Sequence, residues 1–264
     1  MGGKTDGRTG GRAVGWYGAT LVVGAAFLVS ARPPVRPSAD IHAEYVKYLS
    51  GGDTVTAYLA YPERPAPAPA VIVIHEIFGM SDFIRQTTEQ LAKDGFVAIA
   101  PDLLSRRGGT PASPDSARRL IATLNPDTLT RDLDATAAYL RTVKAAQADR
   151  LGVIGFCWGG GQSFRYASNN PALRAFVVCY GPAPDAAAIA RIKAKGIGVY
   201  AENDARINAG LDAVAAAVRQ AGVDYRYTVY PGVGHGFLRA REKPEVADSA
   251  WSAVVRFFRA RLGG

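Results

Sequence analysis

Residues 151–161 read Leu151-Gly152-Val153-Ile154-Gly155-Phe156-Cys157-Trp158-Gly159-Gly160-Gly161. A buried strand over 151–155 runs into a glycine-framed cysteine, and a helix is expected from there to about Asn169. A nucleophile on a sharp strand-to-helix turn sits in strained backbone, so its neighbours must be small where a Cβ would clash. The turn lifts the side chain clear of the sheet and sets it at a helix amino end. There the helix dipole favours a thiolate and a developing oxyanion alike. A free cysteine is more often a buried small hydrophobe. Gly155-Phe156-Cys157-Trp158-Gly159 between a strand and a helix instead reads as a nucleophile.

The same alternation extends in both directions. Val71-Ile72-Val73-Ile74 is a β-branched run suited to a strand buried on both faces. Further strands are expected over 43–49 and 54–61, as a hairpin around Gly51-Gly52-Asp53, and over 96–100, 175–179, 198–202 and 225–230. Helices are expected over 81–94, 115–123, 128–147, 209–220 and 248–262, with Ser81 as an N-cap and Leu129, Leu133, Leu140 and Val143 at helical spacing. Strands separated by helices imply parallel crossover units: an α/β fold, its central sheet mostly parallel and covered by helices on both faces. Sites in such sheets form at the carboxyl ends of strands.

A cysteine nucleophile needs a base to take its proton and an acid to orient that base. Both follow in chain order. Asp204 comes after the strand 198–202, in Ala201-Glu202-Asn203-Asp204, with Glu202 as its competitor. His235 comes after the strand 225–230, in Gly232-Val233-Gly234-His235-Gly236-Phe237. The order nucleophile, acid, histidine is that of α/β-hydrolases.

Composition narrows the remaining classes. The 264 residues suffice for one large α/β domain, and 48% apolar with 20% charged residues is ordinary for a globular enzyme. The net charge of +8 comes from scattered arginines rather than a basic stripe with interleaved aromatics, which argues against nucleic acid. The two cysteines and three dispersed histidines form no metal-ligand pattern, so no metal site is expected, and hydrolysis by a cysteine, a histidine and an aspartate requires no cofactor. Residues 1–37 are of a different kind. A basic, glycine-rich start precedes the uncharged run Ala13 to Ala31, which ends at Arg32-Pro33-Pro34. That is the layout of an export signal or a membrane anchor, placing residues 38–264 outside the cytoplasm as a monomeric domain, with membrane attachment through residues 13–31 if the segment is kept.

Four segments give a resemblance to the dienelactone hydrolase family (carboxymethylenebutenolidases) of the α/β-hydrolase superfamily: His75-Glu76-Ile77-Phe78-Gly79, Pro101-Asp102-Leu103-Leu104-Ser105-Arg106, Gly155-Phe156-Cys157-Trp158-Gly159-Gly160 and Gly234-His235-Gly236-Phe237. The resemblance covers roughly residues 43–262. It implies an ester or lactone substrate carrying a carboxylate, hydrolysed through a thioacyl-enzyme. It further implies that Glu76 contacts and helps activate the thiol, that Arg106 binds the substrate carboxylate, and that the backbone N–H groups of Ile77 and Trp158 form the oxyanion hole. His75 is read as structural. The family's familiar members are cytoplasmic, so the leading segment sets this chain apart. Three other readings stay open: an esterase of the same fold with a different substrate, a redox protein with a Cys157–Cys179 disulfide, and a non-catalytic binding domain.

Overall fold

A computed structural model describes residues 40–263, so the readings made on residues 1–37 lie outside the described residues. The chain enters as a hairpin. Strands β1 (Ile41–Ser50) and β2 (Asp53–Pro62) pair antiparallel with Ser50 opposite Asp53, and Gly51 turns the corner at φ 63°. Strand β3 (Ala68–Ile74) is buried along its whole length, as its β-branched run predicts. Helix α1 (Asp82–Lys93) leads to strand β4 (Val97–Pro101), then to a 3-10 turn over Ser105–Arg107.

Two helices follow with matching start signals. Helix α2 (Pro114–Ile121) has Ser113 as N-cap, and α3 (Pro126–Leu140) has Asn125, whose Oδ1 accepts from the N–H groups of Asp127 and Thr128 at 2.8 and 3.1 Å. In both, proline at the first helical position supplies a preset φ and lacks an N–H that would go unbonded there.

The remaining units alternate: β5 (Ala146–Phe156), α4 (Trp158–Asn169), β6 (Ala175–Cys179), α5 (Ala186–Ile189), β7 (Lys195–Asn203), α6 (Ala205–Asn208), α7 (Leu211–Ala221), β8 (Tyr225–Gly234), α8 (Phe237–Ala240) and α9 (Pro244–Leu262). The eight strands form one sheet in the order β1-β2-β4-β3-β5-β6-β7-β8. β2 runs antiparallel to β1 and β4; every pair from β4 through β8 is parallel.

Alternate residues of the strands face opposite cores. Ile72, Ile74, Val153, Phe176 and Val178 pack under α3, α4, α5 and α7, while Val71, Val73, Ile154, Val177 and Cys179 pack under α1 and α9. Both faces of the sheet are covered, as in the α/β-hydrolase fold. A third, small cluster joins Leu104 to Ala117 and Ile121 of α2, with the partly buried side chains of Ile77 and Trp158 against it.

One boundary departs from expectation. The helix expected over 128–147 stops at Leu140, and β5 starts at Ala146, before the expected Leu151. Lys144-Ala145-Ala146-Gln147 favours helix locally. Pairing decides otherwise: Ala146 and Gln147 lie beside Ala68 and Pro69, and the register shifts after Pro69 to bring Ala70 beside Leu151.

Candidate active site

The elbow is built as its sequence demands. Cys157 sits at φ 55° and ψ −119°, a left-handed conformation that a side chain rarely adopts, at the N-cap of α4. Its own N–H donates to the Cys179 carbonyl at 3.0 Å, and its carbonyl accepts from Gly160 and Gly161 at 3.0 and 3.3 Å. These bonds hold the strained residue between β6 and the first turn of α4. The flanking glycines are obligatory for space. A Cβ on Gly155 would strike the Gly159 carbonyl, and one on Gly159 would strike the carbonyl oxygens of Ile74 and His75 at the end of β3.

Asp204 and His235 reach this point from neighbouring strand ends. Asp204 caps α6 through its backbone carbonyl, which accepts from Ile207 and Asn208, and its side chain makes no capping bond. The carboxylate is therefore free to take His235 Nδ1 at 2.5 Å. A carboxylate only accepts, so Nδ1 is the donor, and in the neutral ring this leaves the lone pair on Nε2. Glu202, the competing acid, accepts instead from the Gly232 N–H at 2.7 Å. The Tyr180 ring stands edge-on to the imidazole at 5.1 Å. Tyr180 is itself buried at φ 41°, and its hydroxyl has no hydrogen-bond partner among the described residues.

Glu76 lies one residue beyond His75, just past β3, only 2% exposed. Burial raises its carboxyl from the ordinary 4.5 to about 6, against the opposing pull of the Arg239 guanidinium, whose Nε is 3.1 Å from Oε2. The same guanidinium lies 5.0 Å over the Phe78 ring, and Arg118 of α2 approaches that ring at 5.7 Å.

The shifted carboxyl makes a stability prediction. The native state holds this proton more tightly than the unfolded chain, so stability falls as pH rises from 4.5 through about 6. Glu76→Gln is expected to stabilise the fold by about 1–2 kcal/mol at pH 8. That gain should vanish near pH 4 in urea titrations, and an equal gain at both pH values would refute it.

Burial pushes Cys157 above its ordinary value and the Trp158 N–H pulls it back; the Glu76 charge pushes up, Arg206 pulls down, and Asp204 pushes up. The helix amino end favours a thiolate while burial favours the thiol, so the proton has to be drawn off by neighbouring groups. Among the described residues no hydrogen bond joins the thiol to His235. Both cysteines are free, so the Cys157–Cys179 bridge is not formed; Cys179 is fully buried in the core under α1 and α9.

Cys157, Glu76, Asp204 and His235 thus gather at the carboxyl edge of the sheet, with Ile77 and Trp158 beside them. Arg106 does not join them. Its Nε and Nη2 donate to the Asp132 carboxylate at 2.7–3.1 Å, Nη2 also donates to the Ser50 carbonyl at 2.7 Å, and Nη1 pairs with Asp53. The guanidinium ties the β1–β2 turn to α3, and its donors are already engaged. Arg239 was not singled out in the sequence, although it stands four residues beyond His235, in α8.

The chain matches the model of the dienelactone hydrolase family over residues 55–262. A Methylorubrum extorquens protein provisionally named carboxymethylenebutenolidase is 33% identical over 231 residues, covering 81% of this chain and 79% of the relative. An Escherichia coli K12 protein with the same provisional name is 31% identical, covering 86% of this chain and 90% of the relative. The crystal structure of a Klebsiella pneumoniae protein, provisionally named dienelactone hydrolase, superposes with a TM-score of 0.77 at 30% identity, covering 83% of this chain and 98% of that one. An elbow cysteine, an aspartate-bound histidine and a buried glutamate at the edge of an α/β-hydrolase sheet agree with these likenesses, and the chain is a hydrolase belonging to the dienelactone hydrolase family.

Proposed function

We propose that Cys157, His235 and Asp204 form a catalytic triad that hydrolyses a small carboxylic ester or lactone bearing a carboxylate. The observation that carries this is the 2.5 Å bond from His235 to Asp204 beside a cysteine held at φ 55° on a strand-to-helix turn. The cycle starts from a protonated thiol. An incoming substrate carboxylate competes for Arg239, loosening its hold on Glu76, and the freed carboxylate helps draw the proton from Sγ toward His235 Nε2. The thiolate attacks the ester carbonyl, and the N–H groups of Ile77 and Trp158 hold the oxyanion. The carbon–oxygen bond breaks, His235 returns its proton to the leaving oxygen, and a thioester remains on Cys157. Water, deprotonated by His235, attacks that thioester; the acid leaves and Sγ recovers its proton. A thiolate suits activated acyl groups and enol leaving groups such as that of a dienelactone, whereas an amide would leave poorly.

Arg239→Leu tests the substrate class. For a carboxylate-bearing ester, KM is expected to rise about 10–100-fold, the loss of one charge-assisted interaction. For a neutral p-nitrophenyl ester it should stay within about 3-fold. Equal effects on both substrates would leave the triad standing and favour a general carboxylesterase. We further propose that residues 13–31 direct the domain across a membrane or anchor it there, and that it acts as a monomer. Fractionation of cells producing the full chain tests the first point, and sedimentation of residues 38–264 tests the second.

A further inference from the structure

His75 makes contacts that a merely space-filling residue would not need. It is fully buried, immediately after β3. Its Nε2 lies 3.2 Å from the Leu103 N–H, a group that can only donate. Nε2 must therefore be the lone-pair nitrogen, and Nδ1 carries the hydrogen. Nδ1 in turn lies 2.8 Å from the carbonyl oxygen of Glu76, which the ring therefore holds by donation. Burial also pushes the imidazole below its ordinary value, which favours the same neutral ring.

The bonded oxygen belongs to the peptide unit that joins Glu76 to Ile77. In a planar trans peptide the C=O and N–H point in opposite directions. Fixing the Glu76 carbonyl toward His75 therefore fixes the Ile77 N–H away from it. Gly79 donates to the same oxygen at 3.2 Å, so two donors hold that plane. The other face of the device is Trp158. Its indole stacks on the imidazole at 5.6 Å between centroids and 22° between planes, and its side chain shares a small apolar cluster with Ile77. One imidazole thus holds the peptide that carries the Ile77 N–H, stacks on Trp158, and ties both to the loop after β4 through Leu103.

We infer that His75 is a positioning residue for the oxyanion hole, orienting the Glu76–Ile77 peptide by donation from Nδ1 and seating Trp158 by stacking. The inference rests on the proposed role of the Ile77 and Trp158 N–H groups. His75→Phe keeps a stacking ring and removes both hydrogen bonds. With a p-nitrophenyl ester, kcat is expected to fall about 100-fold, toward the loss seen on removing one oxyanion donor, while KM stays within about 3-fold. A trifluoromethyl ketone, whose thiol adduct carries a tetrahedral oxyanion, should bind more weakly by the factor lost in kcat/KM. Alkylation of Cys157 by iodoacetamide, which passes through no oxyanion, should keep its rate within about 2-fold. His75→Asn, whose amide can donate to the Glu76 carbonyl, should recover part of kcat.

Unchanged kcat in a folded His75→Phe protein would overturn the inference. So would a parallel loss of alkylation rate, since that marks general disruption of the site. Should His75→Phe not fold, the same three readouts on His75→Asn and His75→Gln decide: alkylation falling with kcat rejects the role, and a loss confined to the ester and the ketone supports it. If the unmodified enzyme keeps full activity after iodoacetamide treatment, the cysteine mechanism itself fails. That result is distinct from any failure confined to His75.

Discussion

Cys157→Ala is expected to lower ester turnover by more than about 10⁴-fold while leaving the fold intact. Removing a nucleophile from a triad removes the covalent route, and what survives is the weak catalysis of an oxyanion hole and bound water. The fold should tolerate the change. Cys157 is held by backbone bonds to Cys179, Gly160 and Gly161 that alanine keeps, and the φ of 55° strains alanine as it strains cysteine. Cys157→Ser separates two meanings of the site. Serine fits the same turn, but its hydroxyl is far less acidic than a thiol, and Glu76 and His235 would have to activate it in a pocket where burial already raises the thiol. Turnover in Cys157→Ser should therefore lie well below the parent and above Cys157→Ala. Intact-mass measurement of the parent with a slowly deacylating ester should show one acyl group, absent from Cys157→Ala. Full activity in Cys157→Ala would end the nucleophile reading, whatever the family does.

How much of this was legible in the sequence depends on where each residue's partners lie. The buried strands announced themselves because burial on two faces admits little except apolar side chains, as in Val71-Ile72-Val73-Ile74. The elbow was legible because a positive-φ turn packed against β3 leaves room only for glycine at 155 and 159. Asp204 and His235 were legible from strand ends and chain order. The upward push on the Cys157 thiol was not, since it depends on how deeply the surrounding chain buries it. The first part of β5 was not legible either, because Ala146 and Gln147 are strand only through their pairing with Ala68 and Pro69. Arg239 was missed for the same reason: its partner Glu76 sits on a loop remote in sequence, and only the fold brings the two together. His75 was read as structural; its bonds to Leu103 and to the Glu76 carbonyl exist only once the loops after β3 and β4 meet.

Arg106→Met is expected to destabilise the protein by about 3–5 kcal/mol and to leave the KM for a carboxylate-bearing ester nearly unchanged. The reason is the state of Asp132, which is only 2% exposed and whose two oxygens both accept from the Arg106 guanidinium. Methionine fills much of the arginine stem's volume but leaves that carboxylate buried without its counter-charge, and breaking a buried pair on one side costs about this much. The turn around Ser50 and Asp53 loses its tie to α3 as well. For a domain of this size the melting temperature should drop by about 10 °C. Replacing both partners, as Arg106→Met with Asp132→Leu, should recover much of the loss, because no uncompensated charge then remains. A substrate-binding Arg106 predicts the reverse: a fold little changed, and a KM raised for carboxylate-bearing esters alone. An arginine whose donors are taken up by Asp132, Asp53 and Ser50 can serve a substrate anion only by abandoning a buried carboxylate. Arg239, 45% exposed and paired with a carboxyl raised to about 6, has a much smaller barrier to changing partners. The family resemblance implied Arg106 for the anion; the energetics of the two pairings favour Arg239.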